Sequence, residues 1–137
     1  MTNGKGDPLA RADEANRSKE MIGLLREYTD EISRSGMDRG DMKERILALL
    51  AAKIWDLSAV ERFEVLGLLR VLAAEAIGEG RDSYEDMQAF KAEWGRGGVT
   101  GTVMPMAAWV FAREEVTGES LPPLWRGADR PEGGQGP

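Results

Sequence analysis

Residues 58–78 read SAVERFEVLGLLRVLAAEAIG, and the way this stretch folds decides the architecture. It opens on Ser58 with Glu61 three positions later, the reciprocal pairing of a helix capping box. It closes on Gly78. The spacing predicts a helix over about Ala59–Ile77. At 100° per residue, Phe63, Val65, Leu66, Leu69, Leu72, Ala73, Ala76 and Ile77 cover well over half of its circumference. A surface helix needs an apolar arc of only about 100°. This one has to be enclosed by several neighbours, which places it in the middle of a helical bundle. Gly67 costs about 1 kcal/mol there relative to alanine, a loss that a close helix crossing offsets.

The flanks supply the neighbours. On the N-terminal side, Asp7-Pro8 suits a helix start, because Asp accepts from orphan amides and Pro needs no donor at the first position. A single helix is expected from about Pro8 to Arg34, closing at Gly36. Its second half carries Met21, Leu25, Tyr28 and Ile32, a seam of period 3.5 suited to a partner helix. About 27 residues of helix span about 40 Å, so its charged first half is expected to overhang. Asp41 with Glu44 reads as a second capping box, opening a helix to about Trp55 whose apolar face is Met42, Ile46, Leu49, Leu50 and Ile54.

On the C-terminal side, Ser83 with Asp86 caps a short helix to Trp94, and Gly95 stands where a left-handed C-cap belongs. Then comes GRGGVTG, residues 95–101. It lacks the lysine and the spacing of a phosphate-binding P-loop, and a helix rather than a strand precedes it. It reads as a hinge, with Arg96 as its one candidate anion contact. Pro105 suits the first position of a last helix, to about Thr117, ended by Gly118. Leu121-Pro122-Pro123-Leu124-Trp125 follows, stiffened toward polyproline II and carrying apolar anchors. No period of two persists. The expectation is all-α: a compact bundle of four to five helices over 7–125, with a flexible start (1–6) and a disordered polar tail (126–137).

Composition narrows the chemistry. The 137 residues hold no cysteine and no histidine. Disulfides, thiolate metal sites, serine–histidine triads, histidine phosphorelay and di-iron bundle sites are therefore excluded. The net charge of −6 is spread thinly and Lys and Arg do not cluster, so nucleic acid is not an expected partner. No apolar run approaches the length of a membrane span or a signal peptide, so a cytoplasmic location is expected. Thirteen Arg against five Lys suggest a GC-rich bacterial source.

Carboxylate chemistry stays open. Glu61-Arg-Phe-Glu64 and Glu79-Gly-Arg-Asp82 follow the E-x-x-E, gap, E-x-x-D form. In this they resemble the all-α nucleotide pyrophosphohydrolases of the MazG type, over about 22 residues. The resemblance implies Mg²⁺ held by Glu61, Glu64, Glu79 and Asp82. Against it, the second motif falls in an expected turn, and Glu64 and Glu79 on one unbroken helix would lie more than about 20 Å apart. Glu61, Glu64, Leu68, Val71 and Glu75 also share one stripe, either a solvated face or an acid-rimmed contact patch.

The leading expectation is thus a small non-enzymatic interaction or regulatory protein without cofactor or metal. It would bind another protein, or a second copy of itself, through Met21, Leu25, Tyr28 and Ile32 of the first helix, through Leu121–Trp125, or both. The alternatives are the Mg²⁺-dependent pyrophosphohydrolase and a helix-turn-helix DNA reader using Arg62 and Arg70.

Overall fold

A computed structural model describes residues 7–15, 18–53, 57–95 and 98–119. They form six helices and no strand: α1 (Pro8–Ala12), α2 (Ser18–Ser35), α3 (Arg39–Lys53), α4 (Ala59–Gly78), α5 (Tyr84–Trp94) and α6 (Gly98–Thr117). The described residues are all-α, as expected.

Helix α4 is the axis. Its N-terminus carries the expected box, with Ser58 Oγ accepting from the Glu61 amide at 3.1 Å and the Glu61 carboxylate accepting from the Ser58 amide at 3.0 Å. It meets α1, α2, α3 and α6. Phe63, Val65, Leu68, Leu69, Ala73 and Ile77 are buried. Each large apolar side chain so enclosed contributes about 1.5–3 kcal/mol. It ends in a Schellman turn, with the Arg81 amide donating to the Ala76 carbonyl and the Gly80 amide to that of Ile77. The left-handed residue is Gly80 (φ 94°), two places beyond the expected stop at Gly78.

The named contacts give the directions. Met21 lies by Ala59 and Phe63 and Ser33 by Val71 and Glu75, so α2 runs parallel to α4. Arg70 reaches Glu115 and Met104 neighbours Phe63 and Leu66, so α6 is parallel too. Arg39 pairs with Glu75 while Arg45 pairs with Glu64, which makes α3 antiparallel. Phe90 packs on Trp109, and Asp82 on Arg113, which sets α5 antiparallel to α6.

Four expectations are corrected. The first helix is not continuous. α1 stops at Ala12, and Ala12 is buried against Leu24, Leu25 and Phe63. Arg11 reaches Glu27 at 3.2 Å. Folding the charged half back removes the overhang and makes six helices instead of four to five. α3 begins at Arg39, a turn early, because Asp38 rather than Asp41 is the cap: its Oδ1 accepts from the Asp41 amide at 2.8 Å. Gly95 ends α5 in extended conformation (φ −75°, ψ 137°), not left-handed. Most consequentially, α6 starts at Gly98, so Gly98 and Gly101 are helical and Pro105 lies inside the helix. Its missing N–H leaves the Gly101 carbonyl without its helical donor. Complete burial of Pro105 beside Ala108 and Trp109 outweighs that loss. Expectations for 1–6, Ile54, Trp55, Arg96, 121–125 and 126–137 lie outside the described residues.

Gly67 marks the tightest approach. A Cβ there would sit 2.6 Å from Tyr28 Cε2 and closer still to Cδ2. Tyr28 is wedged against Phe63, at 5.6 Å between ring centres, so it cannot simply swing away. Gly67→Ala is therefore expected to lower unfolding free energy by about 1–3 kcal/mol, measured by urea titration. A gain of about 1 kcal/mol, the ordinary helix-propensity result, would show that α2 and α4 do not touch there.

Burial, and then the charge of Glu64, push the Tyr28 phenol well above its ordinary range. Below pH about 10 the phenol is neutral in both folded and unfolded chains, and its stabilising effect is fully present. Above that, the unfolded chain ionises first, so stability falls as pH rises. In a Tyr84→Phe background, phenolate absorbance is expected only together with unfolding. Ionisation near pH 10 with the helices intact would contradict the burial.

Candidate interaction surface

The four acids of the pyrophosphohydrolase resemblance do not come together. Glu61 serves the Ser58 cap at the start of α4. Glu64 takes both Nε and Nη2 of Arg45, at 2.7 and 3.1 Å. That hydrogen-bonded carboxylate pushes the Arg45 guanidinium up from its ordinary range. Glu79 lies past the other end of α4, about 22 Å away along the axis. It accepts from Arg81 at 2.7 Å, and this bond holds its carboxyl below the ordinary range. Asp82 accepts Nε of Arg113 on α6 at 3.0 and 3.1 Å. Among the described residues no group of three or more acids is placed to hold a metal ion.

The proposed DNA-reading face fares similarly. Arg62 is exposed, but Arg70 is buried at 2% exposure. Its Nε and Nη2 both donate to Glu115 Oε1, at 3.1 and 3.0 Å. Its Nη1 and the indole N–H of Trp109 find no hydrogen-bond partner among the described residues. The arginine is thus a core fixture between α4 and α6. Sequence reading missed it, since an arginine inside an apolar run gives no sign of where its partner lies; Glu115 is 45 residues away. The Asp82–Arg113 tie was equally illegible.

The seam residues turn inward. Leu25 and Ile32 are buried, and Tyr28 is half-buried against α4. Leu68 of the acid-bearing stripe is completely buried too. Met21 is different. It is half-buried at the edge of an open groove where the N-terminal parts of α2, α4 and α6 meet. Phe63, Leu66, Val103 and Met104 line the groove with it, Arg62 stands at its rim, and its volume is about 410 Å³. Val103 is 52% exposed, more than any other large hydrophobic side chain among the described residues. A second groove of about 330 Å³, between α2 and α6, has Val71 and Val116 within it and Asp30, Glu75 and Glu115 around it.

Compared with protein-family models, with curated proteins and with solved structures, the chain matches none. No helix among the described residues is long and apolar enough to cross a membrane.

The Arg70–Glu115 pair has an asymmetric consequence. Removing one partner of a buried pair costs about 3–5 kcal/mol, whereas an apolar replacement of the charge is often neutral. Glu115 keeps 38% side-chain exposure, which softens the effect. Glu115→Ala is expected to cost about 2 kcal/mol and Arg70→Met less than about 1, by denaturant titration. The reverse order would mean that Arg70 is not desolvated.

Proposed function

We propose that this chain is a non-enzymatic interaction protein, bacterial and cytoplasmic, that binds another protein at the groove formed by α2, α4 and α6. The observation that carries the reading is an open apolar surface at the junction of three helices, with Val103 half exposed beside Met21, Leu66 and Met104. Buried apolar anchors supply most of the energy of protein interfaces, and the groove offers a seat for one. Paired acids also support the reading. Glu64, Glu79 and Asp82 each face an arginine, which leaves them little to offer a metal. A homodimer using the same groove is the self-associating form of the proposal.

The test compares capture from the native host by wild type, Val103→Asp and Val116→Asp. Both substitutions replace exposed side chains on α6, at opposite ends. A partner held by wild type and Val116→Asp but weakened at least about tenfold by Val103→Asp is the expected result. Equal retention by all three would sink the groove. Mg²⁺-dependent pyrophosphate release from nucleoside triphosphates, or a salt-sensitive DNA shift, would overturn the non-enzymatic reading in favour of one of its alternatives.

A further inference from the structure

Arg39, Lys43 and Arg81 stand around one opening, where the start of α3 meets the end of α4. Because α3 is antiparallel to α4, its first turn lies level with the turn that closes α4. Arg39 and Lys43 are four residues apart on α3 and so share a face. Arg81 is fixed by the Schellman turn, through its amide on the Ala76 carbonyl. The cavity beneath measures about 240 Å³ and is floored by Leu72, Phe90 and Trp94. The Lys43 ammonium stands 6.0 Å from the centre of the Trp94 ring.

A carboxylate of the chain itself sits between the two arginines. One oxygen of Glu79 accepts from Arg81 Nη2 at 2.7 Å, and the other lies 3.8 Å from Arg39 Nη1. Glu79 thus stands in for an anion with two oxygens. All three side chains are about half exposed, and exposed ion pairs are weak, so Glu79 is easily displaced. Arg39 also pairs with Glu75 at 3.0 Å, and Lys43 with Glu93 at 3.3 Å. With Glu79 turned out to water, three cations face two acids and the opening carries positive charge.

A phosphate group is the better occupant. It carries about −1.5 to −2 charge at neutral pH, against the single charge of Glu79, and presents three strong acceptor oxygens. Two can take the guanidinium groups that now hold Glu79, and the third is left for Lys43. The arginine fork matches phosphate, and lysine adds a point charge. A ligand carboxylate would bring no more charge than Glu79 and gain nothing from the exchange. The apolar floor suits the organic part of a small phosphate ester.

We infer that the opening between Arg39, Lys43 and Arg81 binds the phosphate of a small organic ester, whose apolar part rests over Leu72, Phe90 and Trp94, and that Glu79 competes with it. The site lies at the other end of α4 from the apolar groove. It requires no partner protein and stands or falls separately from the partner reading.

NMR titration with inorganic phosphate and with phenyl phosphate, at fixed ionic strength, tests this. Saturable shifts are expected at Lys43, Arg81 and the Trp94 indole. Glu79→Gln is expected to tighten phenyl phosphate at least about threefold, a gain that no loss of folding can produce. Arg81→Gln is expected to weaken it about tenfold, while Arg26→Gln, which removes an exposed charge of α2, leaves it unchanged. Phenyl phosphate binding at least about threefold tighter than inorganic phosphate supports the ester; equal affinities overturn it in favour of the free ion. No saturable shift with about 10 mM of either ligand, in wild type and Glu79→Gln alike, overturns the site. Equal losses in Arg81→Gln and Arg26→Gln overturn it too, as the mark of diffuse charge.

Discussion

Enclosure of α4 is the constraint from which the remaining structure follows. A helix with apolar side chains around most of its circumference is stable only when several others wrap it. α1, α2, α3 and α6 supply that wrapping. Because α2 and α6 both run parallel to α4, the chain must reverse between them, and α3 and α5 are those return passes. The short turn at Glu79–Ser83 and the caps at Asp38, Ser58 and Ser83 make the reversals with little loop. Even Arg70 inside α4 conforms, because its charge is met from α6 rather than by water.

Much of this was legible from local chemistry. The Ser58 and Ser83 boxes bond as their spacing predicts. Gly36 and Gly118 take the left-handed conformation that their places after helices suggest. The centrality of α4 followed from its apolar arc alone. What escaped prediction depended on distant partners. Ala12 looked like filler in a charged stretch, yet Leu24, Leu25 and Phe63 give it a place in the core and break the first helix. Pro105 looked like a helix start, yet it lies completely buried inside one. In both cases tertiary burial outweighed a local signal.

The same enclosure shapes the functional surface. Acids on α4 lie either at its two ends or against arginines of neighbouring helices, so the E-x-x-E and E-x-x-D groups stay apart. The seam of Leu25, Tyr28 and Ile32 was legible as a helix-packing stripe, but its neighbour proved to be α4. Only Met21, at the end of that stripe, stays at a groove. The surface of interest therefore sits where three parallel helices begin, and the exposure of Val103 could not be read from a sequence in which its helix was expected to start two residues later.

Native-state hydrogen exchange measures the central claim directly. If α4 is held on nearly all sides, its amides from Phe63 to Ile77 open only when the whole chain unfolds, and their exchange free energies match the global value from denaturant titration. Amides of α4 that open well below that value, while α2 or α6 stays protected, would show that α4 is not the enclosed axis.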